Sequence, residues 1–252
     1  MAGRPDHERF GGLTFDDFRR MAGDDALSAH ERIGFPDAYR EGRERLILDD
    51  IVAKLPALGD RGSVVVDIGP GCAGLPMLLR ERCAEHEQTL VFVDSAEMLA
   101  HHADGPGLVK VPARFPDCPH LLAERRGAVH AVIAYSVVQY AYTDASIFDF
   151  VDAAMELLAP GGRLLLGDLP NASMRRRFLA SEAGAAHHRA YTGRDEDPDV
   201  RFNVLERGEM DDAVVIALVS RARAAGFDAW LLPQPAGLPM ANRREDIVIA
   251  RP

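Results

Sequence analysis

The sequence has 252 residues, of which 47% are hydrophobic and 27% charged, which fits one well-filled globular α/β domain and excludes a largely disordered chain. The net charge of −10 opposes binding to phosphate backbones and anionic lipid, so we expect neither nucleic acid nor membrane as a partner. Three cysteines without a CxxC pair disfavour a disulfide framework, and the lack of an apolar leader or span predicts a protein of the reducing cytoplasm.

Helices are predicted before the first strand, and together they form an N-terminal cover at residues 14–60. Thr14, followed by two acids, is typical of a helix N-cap with negative charge in the first turn. Further along, apolar residues at helical spacing predict a single helix over residues 36–58, ended by a glycine-rich turn.

From residue 63 onward, short apolar strands alternate with helices. The strands are continuously apolar, as strands buried on both faces should be, and five of them are predicted at residues 63–68, 89–94, 108–111, 129–134 and 163–168. A helix at residues 213–225 and two strands at 228–232 and 246–250 close the pattern. This alternation predicts one domain, spanning residues 1–252, with a parallel sheet covered by helices on both faces.

Residues 170–212 interrupt the alternation with a polar stretch that is too long for an ordinary connection. The first half of this insertion contains only one acid, Glu182, but five arginines: Arg175, Arg176, Arg177, Arg189 and Arg194. A solvated helix face is one interpretation, and a lid that binds an anionic substrate is another, because guanidinium groups match carboxylate and phosphate. A contact between two copies is a third, and the oligomeric state stays open.

The strongest local pattern is the segment Val64-Val-Val-Asp67-Ile-Gly69-Pro70-Gly71-Cys-Ala-Gly74, in which a buried strand ends in an acid and a glycine turn. Glycine permits positive φ and lets the backbone approach a ligand closely, and the next helix begins with unpaired N–H groups facing that ligand. As Gly69-x-Gly71-x-x-Gly74, followed 20 residues later by Asp94, the segment matches a dinucleotide-binding fingerprint.

As Asp67-x-Gly69-x-Gly71, the same segment resembles the first motif of the class I S-adenosylmethionine-dependent methyltransferases. A carboxylate at Asp67 would repel the pyrophosphate of NAD, whereas it suits the amino and sulfonium groups of S-adenosylmethionine. The turn Pro160-Gly161-Gly162 and the closing helix and strand pair also resemble this family in order and spacing. The resemblance implies a three-layer αβα sandwich with a seven-stranded, mostly parallel sheet of order 3-2-1-4-5-7-6, whose last strand is antiparallel.

The resemblance also implies which residues bind S-adenosylmethionine. Near the methionine part of the cofactor it places Asp67, Gly69 and Gly71, with Pro70 stiffening the turn. Near the ribose and adenine it places Asp94, Ser95, Met98 and Phe115. At the end of the fourth strand, Tyr135 and Ser136 are expected near the transferable methyl group. From the N-terminal cover, either Tyr39 or Arg43 is expected to reach the cofactor carboxylate.

In function, the resemblance implies in-line transfer of a methyl group to a small-molecule acceptor, an anionic one such as a sugar or nucleotide-sugar. A hydroxyl acceptor needs a general base, and the candidates are His187, His188 and Asp168. No metal site is predicted, because no ligand spacing supports one. Two other functions stay open: an NAD(P)-dependent reductase that uses the three glycines of the loop, and a non-catalytic S-adenosylmethionine-binding protein.

Overall fold

The centre of the computed structural model, which describes residues 12–252, is one seven-stranded sheet. Its strands are β1 (Val64–Ile68), β2 (Thr89–Asp94), β3 (Leu108–Pro112), β4 (Val129–Tyr135), β5 (Leu158–Pro170), β6 (Asp228–Pro233) and β7 (Arg244–Ala250). The order is β3-β2-β1-β4-β5-β7-β6, and β7 runs antiparallel to both β5 and β6. The predicted strand order and antiparallel last strand are therefore confirmed. Residues 1–11, which the predicted domain includes, lie outside the described range.

Helices cover both faces of the sheet, as the strand–helix alternation predicts. In chain order they are α1 (Phe15–Ala22), α2 (Ala29–Arg32), α3 (Asp37–Arg40), α4 (Glu44–Lys54), α5 (Gly74–Glu85), α6 (Ala96–Leu99), α7 (Pro119–Arg125), α8 (Val138–Asp144), α9 (Ile147–Leu157), α10 (Ala172–Leu179), α11 (Glu182–Thr192) and α12 (Asp212–Ala224). The neighbouring side chains Val65 and Val66 of β1 belong to two different hydrophobic clusters, because successive strand residues face opposite sides. Helices α4 and α5 pack on the Val65 side, and α9 and α12 pack on the Val66 side. None of the helices in residues 12–252 is long and apolar enough to cross a membrane.

The N-terminal segment is more broken than its sequence pattern predicts. The single helix expected over residues 36–58 is wrong, because the chain forms the short helix α3, turns, and then forms α4. Gly42 lies in this turn with φ of 74°, a left-handed conformation that ends a helix and that glycine adopts without steric cost. The turn matters for the site, because it leaves Arg40 at the end of α3 facing the sheet.

The insertion at residues 170–212 contains more regular structure than expected. Helices α10 and α11 occupy its first half and pack against each other, and an irregular stretch leads from Gly193 to α12. The helix α8, between β4 and α9, is also absent from the sequence-based prediction. It is short and contains no apolar periodicity of the kind that identifies longer helices.

Candidate functional site

The turn after β1 has a backbone that only glycine fits. Gly69 and Gly71 have φ values of 69° and 66°. A Cβ added at Gly69 would lie 2.6 Å from Cγ2 of Val137, and one added at Gly71 would lie 2.5 Å from Cγ2 of Ile33. Both conformation and close approach therefore require glycine, as the motif predicts.

Asp94, the last residue of β2, connects this strand to the glycine turn after β1 by a hydrogen bond. Its carboxylate accepts hydrogen bonds of 3.1 Å from the Gly71 N–H and 2.7 Å from the Ser95 N–H. On the other side of the turn, Nε2 of His102 lies 2.7 Å from the Gly71 carbonyl oxygen. The His102 ring is buried and packs on Phe92, with 4.9 Å between ring centroids.

Asp67 is the next-to-last residue of β1 and is 6% exposed. Within residues 12–252 its carboxyl group accepts no hydrogen bond and forms no ion pair. Burial, together with the nearby charge of Asp94, raises the pKa of Asp67 to about 8. A carboxyl group in this situation favours either a proton or a cationic neighbour.

A cavity adjoins the carboxyl ends of β1, β2 and β4, with an empty volume of about 770 Å³ that includes space open to solvent. Six predicted cofactor residues line it: Gly69, Gly71, Asp94, Met98, Phe115 and Ser136. The N-terminal segment contributes Phe15, Phe18 and Ile33, which form an apolar wall over the turn. Tyr140 lines the same cavity and packs edge-on against Phe18, with 4.7 Å between ring centroids. These residues, like Val137, carry no motif that would identify them in the sequence.

The other predicted cofactor residues lie next to this cavity or apart from it. Asp67, Pro70 and Tyr135 line a second, smaller cavity, and Gly69 borders both. The Ser95 side chain is buried and accepts a hydrogen bond from the Met98 N–H as the N-cap of α6. Tyr39 is half-buried on α3 and lines neither cavity, whereas its neighbour Arg40 reaches the end of the sheet.

Asp168, the predicted acidic base, lies at the centre of a buried polar network. Its carboxylate accepts hydrogen bonds from Arg40, Ser136 and Arg244. Gln234 lies 3.5 Å from the same carboxylate and donates to Asp246, which in turn accepts from the Asp168 N–H at 2.7 Å. Sequence reasoning missed Arg40, because its partner Asp168 lies 128 positions further along the chain.

The two histidines predicted as bases are not brought to either cavity. His187 is exposed on α11, where its ring lies 5.6 Å from Phe178 and stacks on Tyr191. His188 is half-buried on the same helix, and neither histidine contacts Asp168. Three of the five insertion arginines form ion pairs with nearby acids: Arg176 with Glu206, Arg177 with Asp212 and Arg189 with Asp197.

No protein-family model matches the chain. Over 112 residues, 44% of the chain, it is 30% identical to the nonribosomal peptide synthetase CymA of Salinispora arenicola, and it spans about 1% of that protein's length. Solved structures with a similar fold include the carbon methyltransferase CurJ, at 17% identity and a TM-score of 0.53 over 85% of this chain and 56% of that one.

Two further similar structures bear on the fold. Phosphoethanolamine N-methyltransferase 2 of Haemonchus contortus, in complex with S-adenosyl-L-methionine, is 14% identical with a TM-score of 0.54, over 96% of this chain and 61% of that one. An O-methyltransferase family protein of Burkholderia thailandensis is 16% identical with a TM-score of 0.51, over 98% and 71% of the two chains. The chain thus has the class I methyltransferase fold, as the sequence motifs predict.

Proposed function

We propose that this chain is an S-adenosylmethionine-dependent methyltransferase that acts on a small, anionic molecule. The observation that carries the proposal is Asp67, a buried carboxyl group without a partner in residues 12–252, placed directly before a glycine turn. The ammonium and sulfonium groups of S-adenosylmethionine would compensate this carboxylate, whereas a pyrophosphate at the turn would meet repulsion. Similarity to methyltransferases of the same fold supports the same cofactor.

The residues at the larger cavity suit the remainder of the cofactor. The carboxylate of Asp94 offers about four lone-pair positions and uses two for backbone N–H groups, so it retains acceptors for two ribose hydroxyls. Met98 and Phe115 give the same cavity an apolar end that fits an adenine ring. When bound, the cofactor supplies an electrophilic methyl group on a positively charged sulfur.

The chain itself contributes orientation and exclusion of water. Phe15, Phe18 and Ile33 cover the glycine turn with apolar side chains, so that a bound acceptor would be held close to the methyl group in a dry site. For a hydroxyl acceptor we propose Asp168 as general base acting through Ser136. Asp168 lines neither cavity, but the Ser136 hydroxyl lines the larger one and donates to the Asp168 carboxylate, so it could pass the acceptor's proton on. His187 and His188 would serve this role only after movement of the insertion, because neither lines a cavity.

The small-molecule class of acceptor is supported by charge. The net charge of −10 disfavours binding of the chain to nucleic acid. Local positive charge comes from Arg40, beside Asp168 of β5, and from Arg244 of β7, and it suits a small anionic acceptor. The similar structures are named as carbon, nitrogen and oxygen methyltransferases, so the fold by itself does not identify the acceptor atom.

Calorimetric titration of the whole chain with S-adenosylhomocysteine, and separately with NADH, tests the proposal. We expect S-adenosylhomocysteine to bind and NADH not to bind. Binding of NADH alone would instead establish the reductase, and binding of neither would reject both. If S-adenosylhomocysteine binds, the chain is next incubated with methyl-labelled S-adenosylmethionine and a panel of sugars, nucleotide-sugars and carboxylic acids. Transfer of the label to an acceptor distinguishes an enzyme from a non-catalytic binding protein.

A further inference from the structure

Two residues with a carboxylate, Asp94 and Asp144, line the larger cavity. The proposed function assigns the ribose of the cofactor to Asp94. Asp144 is the last residue of α8 and carries no motif, so neither the sequence pattern nor the proposed function accounts for it. The contacts of Asp144 therefore decide which part of a ligand it faces.

A short series of contacts connects these two residues along one wall of the cavity. The Ala113 N–H donates to the Asp94 carbonyl oxygen at 2.9 Å. The next residue, Arg114, donates through Nη2 to Oδ2 of Asp144 at 3.1 Å and also to the Asp144 carbonyl oxygen. Ala113 and Arg114 both line the cavity. A nucleoside whose ribose is bound at Asp94 would therefore extend its base along residues 113–115 toward Asp144.

Apolar side chains line the same end of the cavity. Phe115 and Phe150 pack edge-on, with 5.0 Å between ring centroids, and both belong to the lining. Met98 of α6 and Val137, which follows β4, line the cavity as well. Aromatic and thioether side chains favour contact with a flat ring, so polar recognition of such a ring falls to groups at its edge.

The Asp144 carboxylate has one oxygen that the protein engages and one that it leaves open. Oδ2 accepts from Arg114 and, at 3.2 Å, from the Phe15 N–H at the start of α1. Within residues 12–252 no hydrogen bond reaches Oδ1. The side chain is 29% exposed and borders the cavity. Oδ1 thus retains acceptor positions for an N–H group of a ligand.

We propose that Asp144 accepts a hydrogen bond from the exocyclic amino group of adenine and thereby selects an adenine nucleoside over one with a carbonyl group at that position. Adenine presents N–H donors there, whereas hypoxanthine presents an oxygen whose lone pairs would meet the carboxylate. A site built to bond one ligand group rejects an analogue that lacks it, because the polar group of the site stays unpaired. This role rests on the proposed function, since the adenine is that of S-adenosylmethionine.

Asp144 also has a structural contact, because it holds the Phe15 N–H and so ties α1 to α8. Loss of this contact would weaken every ligand of the cavity in the same proportion, whichever base it carries. A change in the ratio of two affinities requires a group that distinguishes the two bases. The ratio is therefore the quantity that separates recognition from packing.

The test is isothermal titration calorimetry of the whole chain with S-adenosylhomocysteine and with S-inosylhomocysteine, in which hypoxanthine replaces adenine. We expect S-adenosylhomocysteine to bind about tenfold more tightly or better, because a hydrogen bond to a charged group contributes a factor of that order. In Asp144→Asn the side-chain amide can donate as well as accept, so the ratio of affinities should fall to about threefold or less.

Two further variants are controls. Arg114→Leu removes the ion pair but keeps the carboxylate, so the ratio should remain at about tenfold or more even if both affinities change. Asp149→Asn makes the same substitution as Asp144→Asn at an exposed position of α9 and should change neither affinity.

Equal affinities in the natural chain would overturn the inference, and so would a ratio that persists in Asp144→Asn. Loss of the ratio in Arg114→Leu would also contradict it, because the ion pair rather than Oδ1 would then distinguish the bases. The outcome is separable from that of the proposed function. Equal binding of the two compounds supports the S-adenosylmethionine site and rejects this role of Asp144, whereas binding of neither compound rejects both.

Discussion

Arg40 donates a hydrogen bond of 2.6 Å to the carboxylate of Asp168, a residue 128 positions further along the chain. The two side chains are 7% and 2% exposed, so this is a buried ion pair that ties the N-terminal cover to the end of β5. The guanidinium also lies 4.1 Å from the centre of the Phe35 ring. Ser136 and Asp168 both have a left-handed backbone, with φ of 60° and 58°, a conformation that side-chain-bearing residues keep only where surrounding contacts hold them.

Replacing Arg40 with methionine should lower the free energy of unfolding by about 3 kcal/mol, because it leaves the buried Asp168 carboxylate with one cationic partner fewer. Urea denaturation followed by circular dichroism measures this. Arg201→Met is the control, since that arginine is 76% exposed in its pair with Asp199 and should change stability by less than about 1 kcal/mol. Equal effects of the two substitutions would mean that the Arg40–Asp168 pair does not join the cover to the sheet.

The sheet was predictable because its strands are buried on both faces and are therefore mostly apolar, as residues 90–93 of β2 show. The glycine turn and Asp94 were predictable because their backbone conformation and position limit the residue types allowed there. Arg40 and His102 were not, because each acts through a partner brought close only by folding. The insertion arginines mislead for a related reason: their number is visible in the sequence, whereas the acids that neutralise Arg176, Arg177 and Arg189 are identified only by contact.

Gly71→Ala should destabilise the protein more than Gly193→Ala, although both glycines have φ of 66°. Each substitution incurs the left-handed backbone cost of about 1–2 kcal/mol for a residue with a Cβ. Only at Gly71 does the new methyl group meet a neighbour, Cγ2 of Ile33 at 2.5 Å, which adds about 1–3 kcal/mol of overpacking. Thermal denaturation of both variants measures the difference.

A second substitution separates the two causes. Ile33→Ala in the Gly71→Ala background should recover part of the lost stability, because it removes the atom that the new methyl group contacts. It should recover nothing in the Gly193→Ala background, where no atom lies within 4 Å of the added Cβ. Recovery in both backgrounds would contradict the packing of Ile33 on the turn.

Asp94→Ala should weaken S-adenosylhomocysteine binding by about 10- to 100-fold while the protein stays folded, since hydrogen bonds from ligand hydroxyls to a carboxylate are of that strength. Isothermal titration calorimetry measures the affinity, and circular dichroism reports the fold. Asp104→Ala provides the control, because that side chain, between α6 and β3, is 93% exposed and pairs with Lys110 at the surface. Unchanged affinity in Asp94→Ala would place the ribose elsewhere.

Asp67 should make the unliganded protein less stable as the pH rises from about 4 to about 8. Burial, and then the charge of Asp94, raise its pKa in the folded chain from 3.8 to about 8. Between these values the folded state holds a proton that the unfolded state has lost, so the free energy of unfolding falls with rising pH, and this contribution is constant above about 8. Asp67→Asn removes the titrating group, so the variant should gain stability over the natural protein, and the gain should be larger at pH 8 than at pH 5.

Urea denaturation of both proteins at the two pH values measures this gain, with Asp104→Asn as the control. The Asp104 carboxyl has the opposite perturbation, because its hydrogen bond and ion pair with Lys110 lower its pKa. Its removal should therefore produce no gain that grows with pH. S-adenosylmethionine should reduce the difference between the natural protein and Asp67→Asn at pH 8, because its positive groups would stabilise the Asp67 carboxylate that burial destabilises. A gain that is the same at pH 5 and pH 8 would show that Asp67 is ionised without the cofactor, and it would remove the main support for a cationic ligand at this turn.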